Sequence, residues 1–177
     1  MNASASSILL SEAAIQGRVA EMGTAISADY KDRSITIVGV LKGSFVFVAD
    51  LMRRIDESIP VEVDFITVSS YRSGTTSSGE IKVQKDVDLS LEGKHVILVE
   101  DIIDTGLTLS RVRDLIESRG TQSIRVATLL EKPAARKYAG VPDYVGFQIP
   151  DQFVVGYGMD HAERFRNLPD IRILDAF

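Results

Sequence analysis

The chain has 177 residues, 45% of them hydrophobic, enough for one sizeable core and too few for two ordinary domains. It has no cysteine, which excludes disulfides, a thiolate nucleophile and metal sites built on sulfur. Acidic residues outnumber basic ones 25 to 20, a net charge of -5 that disfavours binding nucleic acid through its phosphates.

No apolar stretch approaches the ~20 residues that span a bilayer, and Met1-Asn2-Ala3-Ser4 opens without a basic region followed by an apolar run. The expectation is a soluble, cytoplasmic protein with one domain over residues 1–177. After a small polar leader, Ile15, Val19, Met22 and Ile26 recur at helical spacing, with Ser11 as N-cap and Glu12 in the first turn. Ile35 to Leu41 reads as a buried strand, Lys42-Gly43 as a break, and Phe45 to Ile55 as a helix. Val61 to Val68 alternates as a strand, whereas Ser69 to Gly79 is rich in serine, threonine and glycine and is expected to be a mobile loop.

Ile81 to Val87 reads as a returning strand, and Gly93-Lys94 turns the chain into the apolar run His95 to Val99, expected to be a central parallel strand ending at Glu100-Asp101. From Thr108, the residues Leu109, Val112, Leu115 and Ile116 are helical up to Gly120. Ile124 to Leu130 forms the next strand and ends at Glu131-Lys132-Pro133. Short strands over Tyr144–Ile149, Phe153–Tyr157 and Ile171–Leu174 read as a hood covering residues 144–177. The class is α/β, with a mostly parallel sheet flanked by helices.

In an open parallel sheet, ligands bind beyond the carboxyl ends of the strands. There the chain reads Glu100-Asp101-Ile102-Ile103-Asp104-Thr105-Gly106-Leu107-Thr108. Gly106 can take positive φ and let backbone N–H groups converge on an anion, while Thr105 and Thr108 add hydroxyl donors at the positive end of a helix. Glu100 and Asp101 can accept from ribose hydroxyls or bind a divalent cation through oxygen. Residue by residue, the same letters suit a plain βα turn with an Asp or Thr cap. The string lacks both the nucleotide triphosphate loop and the dinucleotide fingerprint.

As a whole it resembles the signature of type I phosphoribosyltransferases. The wider pattern is similar to the hypoxanthine-guanine phosphoribosyltransferases: Leu41-Lys42-Gly43, Ser70-Tyr71, the loop just described, Glu131-Lys132-Pro133, and Phe153-Val154-Val155-Gly156-Tyr157-Gly158-Met159-Asp160 followed by Arg166. The resemblance implies Mg2+-dependent transfer from phosphoribosyl pyrophosphate to a 6-oxopurine base, a type I fold with hood and lid, and a homodimer or homotetramer.

Roles follow from the resemblance, each beside a plainer one. Asp104 would exchange a proton at purine N7, or merely cap the following helix. Lys132 would read the 6-oxo group, or snorkel to water as lysines usually do. Phe153 would stack on the base, or be ordinary core, and the Val154 carbonyl would read the purine 2-position. Glu100 and Asp101 would hold ribose and Mg2+, with Thr105, Gly106, Leu107 and Thr108 around the phosphate. Some relatives carry lysine where Leu107 stands, so backbone and threonines must suffice there. Asp160 would bind a second magnesium and Arg166 the leaving pyrophosphate, or the two would form a surface ion pair. Lys42 and Gly43 would bind pyrophosphate, with a cis peptide after Leu41, or form a plain turn. Ser70 and Tyr71 would open a lid over residues 69–79 that excludes water. A ligand-sensing regulator that binds RNA or DNA is the competing class, and xanthine, or a narrow preference for hypoxanthine over guanine, the competing substrate choice.

Overall fold

The structure, a computed structural model, describes residues 5–70, 81–138 and 140–174. Strand β1 covers Ala5–Leu10, where the sequence suggests only a polar leader. Helix α1 follows over Glu12–Asp29; the Ser11 hydroxyl accepts from the Ala14 N–H at 3.3 Å, and Ile15, Val19, Met22 and Ile26 are buried as their spacing predicts. Strand β2 is Ile35–Leu41 and helix α2 is Phe45–Met52, shorter than the expected run to Ile55 because tight turns from Arg54 to Leu51 and from Ile55 to Met52 close its end.

Strand β3, Val61–Ser70, runs through Ser69 and Ser70, so the serine-rich stretch starts as strand rather than loop. Tyr71 and the remainder of the expected lid lie outside the described residues. Strand β4 is Ile81–Lys85. Strand β5, His95–Ile103, continues four residues beyond Val99, because the β6 strand, Ser123–Glu131, pairs with it as far as Ile103. Helix α3 is Leu107–Glu117, and Lys132 leads into a single 3-10 turn, Pro133–Ala135. Strands β7, β8 and β9 are Tyr144–Gln148, Val154–Val155 and Ile171–Leu174.

Six strands form one sheet in the order β4-β3-β2-β5-β6-β7, parallel except for β4 at the edge. Tyr144–Gln148, expected in the hood, is therefore the far edge of this main sheet, paired in parallel with β6. The hood is a separate antiparallel sheet, β1-β9-β8, in which the N-terminal strand supplies one edge.

Side chains alternate across the central strands. Ile35, Ile37, Ile97 and Val99 pack with α1 and α2, while Val38, Val40, Val96 and Leu98 pack with α3. From β2 the chain moves to β3 on one side, and from β5 it moves to β6 on the other. The gap between the ends of β2 and β5 is thus the switch point where an open α/β sheet forms a crevice. Among the described residues no helix is long and apolar enough to cross a membrane.

One buried carboxylate fastens the edge of the sheet to its centre. Asp64 in β3 accepts from the N–H groups of Asp88, Leu89 and Phe65 at 2.6, 2.8 and 2.7 Å, which anchors the loop leading to β5. Burial works to raise its pKa, but the N–H groups of Leu89, Phe65 and Asp88, with Lys85, outweigh it and hold it below the usual 3.8. A depressed acid stabilises the fold above its unfolded pKa and loses that contribution as pH falls through the folded value. Asp64→Ala is expected to cost about 2–3 kcal/mol at pH 7, measured by urea unfolding, and the gap from wild type should narrow as pH falls below 3.8. A gap that is constant with pH would contradict this account.

Candidate functional site

The turn between β5 and α3 is only Asp104 to Gly106, shorter than the expected loop from Val99 to Thr108. Gly106 stands before the helix at φ 85, a left-handed conformation that glycine takes without strain. Gly106 is the N-cap and no side chain caps the helix, so Asp104 does not do so; Thr105 Oγ1 accepts a long hydrogen bond of 3.4 Å from the Leu107 N–H. The Thr105 carbonyl in turn accepts from Lys137 and Tyr138 at 3.0 and 3.1 Å, so the 3-10 turn region props the loop from behind. N–H groups of a helical first turn have no acceptor within the helix. Glu100 and the residues from Ile102 to Leu109 line a cavity of about 80 Å³ at this helix start, the size and chemistry for a phosphate.

A second cavity of about 190 Å³ adjoins it, lined by Asp101, Ile102, Asp104, Lys132, Phe153, Val154, Met159 and Asp160. Ile102 and Asp104 belong to both. Lys132 does not snorkel: its side chain is only 8% exposed, and its ammonium lies 3.2 Å from Asp151 and 3.8 Å from Asp104. Its N–H donates to the Ile103 carbonyl at 2.9 Å, which ties the ends of β5 and β6 together at the site. Phe153 is not core either, being 55% exposed at the cavity wall, with the His161 ring edge-on at 5.5 Å. Val154 beside it is buried.

The strand's alternation sends Glu100 toward the smaller cavity and Asp101 toward the larger. Burial, reinforced by the neighbouring Asp101 charge, pushes the Glu100 carboxyl up to about 8. Burial also raises Asp101, to about 6, although backbone N–H groups and Arg166 oppose the rise. Among the described residues Glu100 Oε2 is buried without a hydrogen-bond partner. An orphaned carboxylate oxygen in an all-oxygen setting fits a divalent cation or a hydroxyl donor. No three metal-ligating side chains gather among the described residues, so Glu100, Asp101 and Asp160 form no closed cage.

On the β2 side, the Leu41–Lys42 peptide is cis. Gly43 packs its backbone on Asp101, since a Cβ there would lie 1.8 Å from Asp101 Oδ2. Gly158, at φ 97, approaches so closely that its Cβ would lie 2.4 Å from the Gly43 carbonyl oxygen. Asp160 and Arg166 do pair, at 2.8 Å, but the pair is half-buried and Asp160 lines the larger cavity. Arg166 also donates to the Gly158 carbonyl at 2.8 Å. Lys42 reaches across to Glu163 at 3.0 Å. Ser70 closes β3, and Tyr71 is outside the described residues.

Sequence reading passes over Glu163 and Asp151, and it quotes Met159 in a motif without giving it a role. The spacing Asp160, Glu163, Arg166, three residues apart each time, is the signal that could have found the first. Asp151 follows a proline in an ordinary-looking turn, and only the folded contact with Lys132 singles it out.

Residues 6–162 match the family profile described as Phosphoribosyl transferase domain. The chain is 50% identical over 167 residues to the hypoxanthine-guanine phosphoribosyltransferase of Bacillus subtilis, covering 94% of this chain and 92% of that one. It is 52% identical over 167 residues to the bifunctional protein TilS/HprT of Listeria innocua; this covers 94% of this chain but spans only 26% of that longer protein. A solved hypoxanthine-guanine phosphoribosyltransferase of Bacillus anthracis, with a HEPES molecule in its active site, superposes with a TM-score of 0.92 at 44% identity, covering 99% of this chain and 100% of that one.

The glycine contacts generate a paired prediction. Gly43→Ala drives a methyl into the Asp101 carboxylate and should destabilise by about 1–3 kcal/mol. Gly17→Ala, in α1 with nothing within 4 Å of its Cβ, should instead stabilise by about 0.5–1 kcal/mol. Denaturant unfolding of the two variants checks both, and equal effects would refute the close-approach account of Gly43.

Proposed function

The chain belongs to the phosphoribosyl transferase family, and from that premise we propose that it is a cytoplasmic purine-salvage enzyme. It transfers the 5-phosphoribosyl group of phosphoribosyl pyrophosphate to hypoxanthine or guanine, giving IMP or GMP and pyrophosphate. The observation that carries this reading is the buried Lys132 ammonium, facing the same cavity as the exposed Phe153 ring and adjoining a phosphate-sized cavity at a helix start.

The division of labour follows the two cavities. Backbone N–H groups of the Gly106–Leu107 turn, with the Thr105 and Thr108 hydroxyls, take the 5-phosphate. Glu100 and Asp101 accept from the ribose hydroxyls, and Lys42, Gly43 and Arg166 hold the pyrophosphate. Phe153 stacks on the base and Lys132 donates to its 6-oxo oxygen, for which a 6-amino group is no substitute. The Val154 carbonyl reads the 2-position. As the bond to pyrophosphate breaks and the bond from the anomeric carbon to the base forms, Asp104 takes the proton at N7. Its carboxylate is about half exposed and lies 3.8 Å from Lys132, within reach of a base held by that lysine. Ser70 and Tyr71 open the lid that keeps water from the cationic sugar carbon.

Glu100 and Asp101 would hold Mg2+ and Asp160 a second, and the metal would supply positive charge against the phosphates when bound. The orphaned Glu100 oxygen supports this assignment. The enzyme assembles as a homodimer or homotetramer with Lys42 near the interface; the exposed Phe45 and Met52 on α2 support a second copy docking there.

The test is a spectrophotometric assay with phosphoribosyl pyrophosphate and magnesium against five bases. Hypoxanthine or guanine should turn over, adenine and uracil should not, and chelation of magnesium should abolish the reaction. No turnover on any base would favour a ligand-sensing regulator. Asp104→Asn should lower kcat about a hundredfold or more, and an unchanged kcat would remove Asp104 from proton transfer. Lys132→Ala should raise the KM for hypoxanthine about tenfold to a hundredfold and leave that for phosphoribosyl pyrophosphate nearly unchanged.

A further inference from the structure

Glu163 lies between the two cations assigned to pyrophosphate, and the reaction described above gives it nothing to do. Its Oε1 is 3.0 Å from Lys42 Nζ and its Oε2 is 3.3 Å from Arg166 Nη2. Its backbone N–H donates to Asp160 Oδ2 at 2.8 Å. The residue is held at φ 61, with Ala162 at 51 and Phe165 at 76, in a turn closed by reciprocal backbone bonds between His161 and Arg164 of 3.2 and 3.0 Å. Left-handed conformations at three non-glycine residues so close together are uncommon and mark a constraint on the segment. The result is a carboxylate returned toward the crevice and spanning two cations that come from opposite sides of it.

We propose that Glu163 is an internal stand-in for pyrophosphate: its carboxylate bridges Lys42 and Arg166 until the pyrophosphate group takes both, and its charge then speeds release of that product. This rests on the reading that Lys42 and Arg166 receive pyrophosphate.

The contacts are suited to exchange. The Lys42 and Glu163 side chains are 63% and 66% exposed, so their pairing is weak and is surrendered readily to a multiply charged anion. Both cations also hold the Glu163 carboxyl below the usual carboxylate range, which keeps it charged. Arg166 keeps an Nε that is buried without a partner among the described residues, a donor that Glu163 does not occupy. Asp160 cannot replace Glu163 in this role, because its own oxygens are engaged by Arg166 and by the Glu163 N–H. Once displaced, Glu163 remains tethered by that turn, so its negative charge stays beside the departing anion and opposes its retention.

The measurement is calorimetric titration of magnesium pyrophosphate into wild type, Glu163→Gln and Glu163→Gly. The glycine variant keeps the left-handed backbone without the carboxylate. Both variants should bind pyrophosphate at least about threefold more tightly than wild type, with the difference shrinking as salt rises. The KM for hypoxanthine should stay unchanged. A purely structural ion pair would give equal or weaker binding in both variants, and that result overturns the proposal. Tightening in only one variant overturns it too, since charge removal is common to both. If wild type binds no pyrophosphate, the parent reading of Lys42 and Arg166 falls and this inference falls with it. If wild type binds and the variants bind no better, the inference alone fails.

Discussion

Strand β5 carries two successive carboxylates, Glu100 and Asp101, to a place where burial opposes their charge. The remainder of the site is arranged around that fact. β5 lies between β2 and β6 and stays hydrogen-bonded to β6 as far as Ile103, so these side chains are fixed by the sheet. Their raised values, about 8 for Glu100 and about 6 for Asp101, mean that the charged forms are disfavoured in the ligand-free fold. A carboxyl raised above its unfolded pKa helps stability at low pH and loses that help as pH rises through its folded value. Here that window runs from about 4 to about 8. The strand end is thus poised to accept hydroxyl donors or positive charge, and the two side chains leave on opposite faces to serve two cavities.

The second constraint is close approach. β2 and β5 diverge in connectivity, which opens the crevice, yet two backbone segments stack toward Asp101 from the other side. Gly43 touches its carboxylate and Gly158 touches Gly43, contacts in which a side-chain carbon would lie 1.8 Å and 2.4 Å from oxygen. The glycines therefore set how near the loop after β2 and the hood can come to the central strand. Basic residues on the same loops, Lys42 and Arg166, are brought to the crevice by the same packing.

Much of this was legible from local pattern. Ser11 followed by apolar residues at helical spacing located α1, and the apolar run from His95 located the central strand. Glu100-Asp101 reads as the point where the strand gives way to a loop, since polar residues at a strand end look like loop residues until the partner strand is known. β1 was missed for a related reason. Its six residues pair with β9, more than 160 positions away, and nothing nearby in the chain signals that. Tyr144–Gln148 reads as a short strand, but only pairing assigns it to the main sheet. Asp101, Asp104, Lys132, Phe153, Val154 and Asp160 line one cavity and Glu100 with Thr105 to Thr108 the other, whereas Lys42, Gly43 and Arg166 line neither. Asp151 and Glu163 did not stand out, because an acid in a turn acquires meaning only from the cation it meets.

What keeps the hood side of the larger cavity in register with the sheet is a buried polar tie rather than strand pairing, since β8 has only two residues. The Tyr157 hydroxyl donates to Asp50 at 2.5 Å, and the Gln16 side chain donates to the same carboxylate oxygen at 2.7 Å, so α1, α2 and the hood meet at one carboxylate. Burial works to raise the Asp50 pKa, but Tyr157, Gln16 and Arg53 outweigh it and keep it below the usual range; burial and the same contact push the Tyr157 hydroxyl well up. A charged acceptor with several donors is among the stronger ties a buried site can hold. Tyr157 lies between Val154 and Asp160, so this tie holds two lining residues of the larger cavity in place. The smaller cavity is therefore built by the end of β5 and the turn after it, whereas the larger one joins Lys132, just after β6, to a hood anchored through one buried carboxylate.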